Sequence, residues 1–300
     1  MGALTLLVTG AGGFVGRHVV ADAQARGHHV IAVTRRDIDL SATGAADALR
    51  PLVARSDAVI HCAASMSGAH DNDTIKATQS LLSAMQGQSA RLVLVSSIAV
   101  YDPTMLRPGS TVDETSQVEE TATARDSYTC AKRQQETLAS AARPDLWILR
   151  PGAVYGPGRL WNAHIGHGIG PVLLRMERGG QLPICHIIRC AEALVSAAER
   201  PPQGAQILNI VDDDLPDRDR FIAALRPSGW PRVVLPLNWR LLMPLAKLIR
   251  LLRLPAPGVL RPAVLKGRMM PLNYSGQMAR HTLDLRPTGP FQALIPKGRT

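Results

Sequence analysis

A β-strand that runs straight into glycines, which in turn open a helix, leaves a chain few possible folds. Here Leu4-Thr5-Leu6-Leu7-Val8 leads into Thr9-Gly10-Ala11-Gly12-Gly13-Phe14-Val15-Gly16. The apolar run reads as a buried strand, and Phe14–Arg26, ended by Gly27, as an amphipathic helix. Glycines permit the tight turn and let an anion approach the backbone, while the helix N-terminus offers unpaired N–H groups and the positive end of its dipole. Gly10, Gly13 and Gly16 would form the turn around a dinucleotide pyrophosphate, with Phe14 and Val15 opening the helix. A glycine cluster can equally be a plain turn; the placement between strand and helix gives this one its meaning.

The pattern continues through the first half. His29–Thr34, Asp57–Cys62, Leu92–Ser96 and Leu146–Arg150 read as strands, with helices around Thr74–Met85 and over Tyr128–Ala142. Short apolar strands alternating with helices predict an α/β fold with a doubly wound parallel sheet covered on both faces. Beyond Pro157, Gly and Pro punctuate the sequence and the pattern loosens. The expected division is a dinucleotide-binding domain over 1–158, with 183–212 returning to it, and a smaller, discontinuous substrate-binding lobe from 159–182 and 213–300.

Composition narrows the class. With 46% hydrophobic and 19% charged residues the 300-residue chain is ordinary globular material. The N-terminus enters a strand at once, without a secretory leader's basic flank and long apolar run, and no stretch reads as a membrane span. The four cysteines, Cys62, Cys130, Cys185 and Cys190, are scattered, which fits a reducing, cytoplasmic setting. Cys185, His186 and Cys190 lack a fourth ligand at suitable spacing, so no metal is expected. The net charge of +10 is concentrated: from Trp239 onward the chain holds 11 of the 34 basic residues and one of the 24 acidic ones, Asp284. Such asymmetry suits an anionic substrate or surface as well as a merely solvated basic face. The basic tail lacks interleaved aromatics, which argues against nucleic acid.

Two further features carry chemistry. The second strand ends in Val33-Thr34-Arg35-Arg36, where an NAD-preferring site usually has an acid. Arginines suit the 2′-phosphate of NADP(H), which is therefore favoured over NAD(H), the alternative being that they point to solvent; Asp37 or Asp39 could serve the ribose or adenine, and Leu40 is a further cofactor-binding candidate. Tyr128-Thr129-Cys130-Ala131-Lys132 places a phenol and an ammonium on one helix face. The ammonium is expected to lower the phenol pKa, so that Tyr128 can exchange a proton with a substrate oxygen as hydride moves. Ser97, at the end of the strand Leu92–Ser96, is the candidate partner for that oxygen.

On these residues the chain resembles an extended short-chain dehydrogenase/reductase of the NAD(P)-dependent epimerase/dehydratase group. The matching pieces are the glycine run, Asp57-Ala58-Val59-Ile60-His61-Cys62-Ala63-Ala64, Ser96-Ser97-Ile98-Ala99-Val100-Tyr101, Tyr128-Thr129-Cys130-Ala131-Lys132 and Leu149-Arg150-Pro151-Gly152-Ala153-Val154-Tyr155-Gly156-Pro157-Gly158. They occur in family order between Leu4 and Gly158. The resemblance implies a Rossmann-type domain, Ser97, Tyr128 and Lys132 as the triad, and Lys132 on the nicotinamide ribose. It also implies Ala63 and Ala64 along the adenosine, Pro151 to Val154 beside the nicotinamide, and a homodimer. There are departures. Thr74 stands where the family often has an asparagine that supports a proton relay, and Arg189 where an aspartate cap is usual.

The substrate side is less legible. Arg159, Arg261, Arg268 and Arg280 are candidate partners for an anionic substrate. Over 244–254, Leu245, Leu248, Ile249 and Leu252 fall on one helix face and Lys247, Arg250 and Arg253 on the other. That helix would pack on its own lobe, cover the cleft or make a peripheral contact with an anionic membrane. The leading expectation is an NADPH-dependent reductase of a ketone on a sugar nucleotide or similar anionic molecule. The alternatives are an NAD-retaining sugar-nucleotide epimerase, a sterol-like 3-hydroxy dehydrogenase and a non-enzymatic dinucleotide-binding redox sensor. A dehydratase is disfavoured because Ile98 and Ala99 stand where such enzymes keep an acid and a base.

Overall fold

A computed structural model describes residues 2–64, 71–252, 254 and 258–295. In chain order the first half comprises β1 (Thr5–Thr9), α1 (Phe14–Ala25), β2 (His29–Val33), α2 (Ala45–Ala54), β3 (Ala58–His61), α3 (Asp71–Ala84), β4 (Arg91–Val95), β5 (Thr111–Val112), α4 (Ser127–Ala142), β6 (Leu146–Pro151) and β7 (Ala153–Tyr155). The second half comprises β8 (His167–Ile169), β9 (Val172–Arg175), β10 (Ile184–His186), α5 (Ile187–Glu199), β11 (Ala205–Ile210), α6 (Arg218–Leu225), β12 (Val233–Pro236), α7 (Trp239–Leu251), α8 (Pro262–Met269), β13 (Asn273–Tyr274), α9 (Gln277–Leu283) and α10 (Phe291–Leu294).

Six strands form the central sheet in the order β11-β6-β4-β3-β1-β2, and every pairing is parallel. Leu6 lies opposite Val30 on one side and Ala58 on the other, and Val93 lies opposite Trp147. Successive strand residues go to opposite faces, so one apolar run feeds two cores. Leu6, Val8, Ile60 and Val93 meet Val19 and Ala23 of α1 and Ala191 and Leu194 of α5. Leu7, Val59, Leu92 and Ile148 meet Leu49 of α2, Leu81 of α3 and Ala139 of α4. The central sheet is thus the doubly wound α/β arrangement that the strand–helix alternation predicts.

A third cluster gathers residues from the later, proline-rich stretch, including Tyr155, Ile165, Leu173, Phe221, Trp239, Leu265 and Phe291. The short sheet β12-β9-β8 belongs to this part.

Sequence and structure differ at two places here. The helix expected over 244–254 begins instead at Trp239, where the Asn238 side chain accepts from the Arg240 N–H, and it ends at Leu251. Pro244 is therefore internal, not a first-turn residue; Arg253 and 255–257 lie outside the described residues. At α5, His186 takes over as N-cap, its Nδ1 accepting from the Ile188 N–H at 3.4 Å. Arg189 has a structural role of its own. Fully buried, it pairs with Glu192 at 3.1 Å and Asp213 at 3.0 Å, and it donates to the Arg286 carbonyl. It fastens the C-terminal segment to the sheet domain.

Candidate active site

The sheet's strand order reverses at β1, which has β3 on one side and β2 on the other. Ligands of open α/β sheets bind at the carboxyl ends of the strands beside such a switch point. Gly10 sits there with φ +69°, and a Cβ on it would stand 2.7 Å from the Ala63 nitrogen. Gly16 is just as constrained: its Cβ would fall 2.2 Å from the Gly10 carbonyl oxygen. Only glycine lets the β1–α1 turn close against the β3 loop and the first turn of α1. Helix α1 is capped by Gly13 with no side-chain hydrogen bond, which leaves its first N–H groups for an incoming anion.

A cleft of about 740 Å³ opens from this turn, lined among others by Gly10, Gly13, Arg35, Arg36, Asp39, Leu40, Ala63 and Ala64. These are the residues assigned to the adenosine and pyrophosphate side. Phe14, Val15 and Gly16 lie at and under the start of α1. The Phe14 ring has Arg17 and Arg159 guanidinium groups at 5.2 Å and 5.3 Å. Pro151 ends β6 in the core, and Val154 is half-buried in β7 beside β10.

Arg35 is an exposed side chain held by two carboxylates, Asp39 at 3.3 Å and Asp73 at 3.4 Å. Asp39 in turn accepts from the Ser41 N–H at 3.0 Å and the Ser41 hydroxyl at 2.7 Å, and these bonds hold its carboxyl below the usual range. The cleft rim thus carries fixed charges of both signs. The glycine cradle, the uncapped helix start and the arginine rim all fit a dinucleotide, whose nicotinamide would supply or accept the hydride when bound.

Helix α4 positions the second group. Asp126 caps it by accepting from the Thr129 N–H at 2.8 Å, so Tyr128 falls in the first turn and Lys132 one turn on. The Ser97 hydroxyl lies close enough to the Tyr128 phenol to act on it. Ser97 also caps the short turn after β4, accepting from the Ala99 N–H at 3.2 Å. Its neighbour Ser96 points the other way and donates to Glu136. Burial pushes the Tyr128 phenol above its ordinary value, and Asp126 adds to this, against Ser97 and the charge of Arg159. The expected lowering by Lys132 is therefore not what the structure has. The Lys132 ammonium is turned into the protein, donating to the Val95 carbonyl and to Gln135 Oε1, both at 2.9 Å. Burial brings its pKa down to about 8, against the upward pull of Cys62 and Glu136.

Behind Lys132 runs a buried polar chain not visible as a motif. Gln135 Nε2 donates to Thr78 Oγ1 at 2.6 Å, and Thr78 donates to the Thr74 carbonyl at 2.9 Å. His61 Nε2 lies 3.2 Å from the same Thr78 oxygen, and Thr9 Oγ1 lies 2.7 Å from His61 Nδ1. Burial, with Lys132 adding to it, takes the His61 pKa down to about 3, so the ring is neutral. With Thr78 donating to Thr74, the His61 Nε2 carries the proton and Thr9 donates to Nδ1. Gln135 one turn from Lys132 was readable from helical spacing; the Thr78–His61–Thr9 continuation needed the fold.

The candidate anion partners divide. Arg159 acts electrostatically on Tyr128, and Arg268 lies within the fields of Asp126 and Arg125. Arg280 is instead paired with Asp213 at 2.8 Å, and Arg261 is exposed at the start of α8. Arg125, which the sequence did not single out, donates to the Tyr101 carbonyl at 3.0 Å and pairs with Glu119. His164 is half-buried and has its pKa taken down to about 3 by burial and by Arg218, Arg268 and Arg125. Among the described residues no cluster of three or more His, Cys, Asp or Glu is placed to hold a metal ion.

Fold and site thus define a dinucleotide-dependent α/β enzyme. The profile of the NAD dependent epimerase/dehydratase family matches residues 6–210, and the chain belongs to that family as an NAD(P)-dependent enzyme. It is 28% identical over 234 residues to a dTDP-4-dehydrorhamnose reductase of Mycobacterium tuberculosis, covering 71% of each chain. It is 25% identical over 281 residues to a ceramide reductase of Caulobacter vibrioides, covering 86% of this chain and 76% of the relative. The structure of MoeE5 in complex with UDP-glucuronic acid and NAD superposes with a TM-score of 0.71 at 20% identity, covering 98% of this chain and 97% of the other. The last likeness concerns the fold.

Proposed function

We propose that this chain is an NADPH-dependent reductase that converts a ketone on a sugar nucleotide, or on a similarly anionic substrate, to the alcohol. The observation that carries this reading is the Ser97–Tyr128 hydroxyl pair standing one helical turn above the buried Lys132 ammonium. Two hydroxyls side by side can hold a carbonyl oxygen. A phenol pushed upward by burial is protonated at neutral pH and so poised as an acid. As hydride reaches the carbonyl carbon, Tyr128 gives its proton to the oxygen; Ser97 holds that oxygen and the charge of Arg159 steadies the phenolate left behind. Arg35 and Arg36 at the cleft rim favour the extra phosphate of NADPH, and Arg159 supplies positive charge near Tyr128 for an anionic substrate. The 1–158 and 183–212 segments would form the cofactor domain, and the later cluster the substrate lobe. The reductase relatives favour net reduction over epimerisation.

A second reading is a reductase of a lipid ketone. It is favoured by one observation, the exposed apolar face of α7 described below, together with the ceramide reductase relative. The purified protein given NADPH and, in parallel, a 4-keto sugar nucleotide or a 3-keto sphingoid lipid separates the two. Stoichiometric NADPH oxidation with the first supports the main reading, and with the second alone the lipid reading. Epimerisation of the corresponding hydroxy sugar nucleotide with no net NADPH loss supports an NAD-retaining epimerase and overturns both.

A further inference from the structure

Helix α7 is seated with its apolar stripe outward. Trp239 and Ala246 are buried, and Leu242 and Met243 pack against the later core. On the opposite side Leu241 is 73% exposed, Leu245 47%, Leu248 50%, Leu251 77% and Leu252 57%. At about 100° per residue, Leu241, Leu245, Leu248 and Leu252 form one stripe facing away from Trp239 and Ala246. Arg240 and Lys247, both exposed, run along one flank. Between Asp219 and Asp284 the sequence contains no acidic residue. Directly before the helix, Val233 and Leu235 of β12 are also about half exposed. A contiguous apolar face of this kind on a soluble fold marks an interaction surface.

We propose that α7 docks this protein on the surface of an anionic lipid bilayer. The helix lies in the plane of the interface, with the leucine stripe among the acyl chains and Arg240 and Lys247 on lipid phosphates. Charge selects this occupant. A second copy packed face to face across a two-fold axis would bring the flanking Arg240 and Lys247 towards their own equivalents, with no carboxylate in the segment to offset them. Covering this chain's own cleft would need the leucines to point inward, and they point out. Helix α7 has 13 residues, roughly 20 Å of helix, too short to span a bilayer of about 30 Å, and no helix among the described residues is long and apolar enough to cross a membrane. A high apolar moment with flanking cations is the pattern of a helix that lies on the surface. The proposal is independent of the substrate's identity.

The test is co-sedimentation of the full-length protein with vesicles of phosphatidylcholine alone and of phosphatidylcholine mixed with phosphatidylglycerol. Two variants accompany it, L241Q/L245Q/L248Q and R240E/K247E. Thermal unfolding and NADPH affinity verify that each is folded, and size exclusion follows its oligomeric state. The expected result is binding to the anionic vesicles, about tenfold or more weaker on neutral vesicles and in either variant, and reduced by added salt. Failure to bind anionic vesicles, or binding that both variants retain, overturns the proposal. A dimer that the leucine variant alone dissolves, with no vesicle binding, assigns the face to a second copy and also overturns it. If the leucine variant does not fold, R240E/K247E decides by the same readouts.

Discussion

Glu136 and Arg150 form a bidentate buried pair, Oε1 to Nε at 2.8 Å and Oε2 to Nη2 at 2.9 Å, that ties the helix carrying Tyr128 and Lys132 to β6. Ser96 and Arg133 complete the carboxylate's shell, and the Arg150 guanidinium stacks over the Tyr101 ring at 4.9 Å. Burial pushes the Glu136 carboxyl up, but the bonds and charge of Arg150, with Ser96 and Arg133, outweigh it and leave the pKa below the ordinary 4.5. The pair fixes α4 on β6, and the Ser96 bond to Glu136 ties the helix to the segment after β4 that bears Ser97.

Removing one partner leaves the other charge buried and alone. Glu136→Gln or Arg150→Met is expected to destabilise the fold by about 3–5 kcal/mol, measured by urea unfolding. The sign of the pH effect follows from the depressed carboxyl. Its contribution is fully present above the unfolded value of 4.5 and is lost as pH falls through the lower folded value. Wild type should therefore weaken in acid more steeply than Glu136→Gln. Parallel acid profiles would contradict this role.

Burial sets the working pH of Lys132, and Gln135 accepts from its ammonium. With an ammonium pKa of about 8, kcat/KM should decline as pH rises past that value and the positive charge is lost. Cys62, Glu136 and the neutral His61 surround the same ammonium. Gln135→Glu adds a carboxylate in place of the Oε1 acceptor and should move the alkaline limb upward. Gln135→Leu removes the acceptor and should move it downward. Unmoved limbs in both, with activity retained, would mean that Lys132 is not the group titrating.

Arg35 and Arg36 are expected to act on cofactor choice without touching stability, since both are exposed. Losing a hydrogen bond to a charged phosphate weakens binding by roughly tenfold or more, so Arg35→Ala and Arg36→Ala should weaken NADPH by that factor and leave NADH nearly unchanged. Releasing Asp39 and Asp73 from Arg35 in the first variant should, if anything, help NADH. A cofactor titration by fluorescence reads all four affinities. Equal effects on both cofactors would remove the arginine argument.

The residue pattern carried the sheet because it is local: Leu6 and Leu7 go to opposite cores by the two-residue period alone, and Gly10 and Gly16 are demanded by one tight turn. Ser97, Tyr128 and Lys132 could be named for the same reason, as strand end and helix spacing. The direction of the Tyr128 shift was not legible, because it depends on burial and on where the Lys132 ammonium points. The start of α7 at Trp239 was masked by Pro244, which reads as a first-turn residue, while Asn238 supplies the cap. Arg189 looked like a missing aspartate cap because its partners Asp213 and the Arg286 carbonyl are distant in sequence.

The central claim is that Tyr128 delivers a proton during net reduction by NADPH. Its most direct test is the stoichiometry of NADPH oxidation with a 4-keto sugar nucleotide, measured for wild type and for Tyr128→Phe alongside NADPH affinity. The account predicts one NADPH consumed per alcohol formed, a loss in kcat of about 10²–10⁴-fold in the variant, and unchanged NADPH binding. Undiminished turnover in Tyr128→Phe, or product formed with the dinucleotide retained and unconsumed, would contradict it.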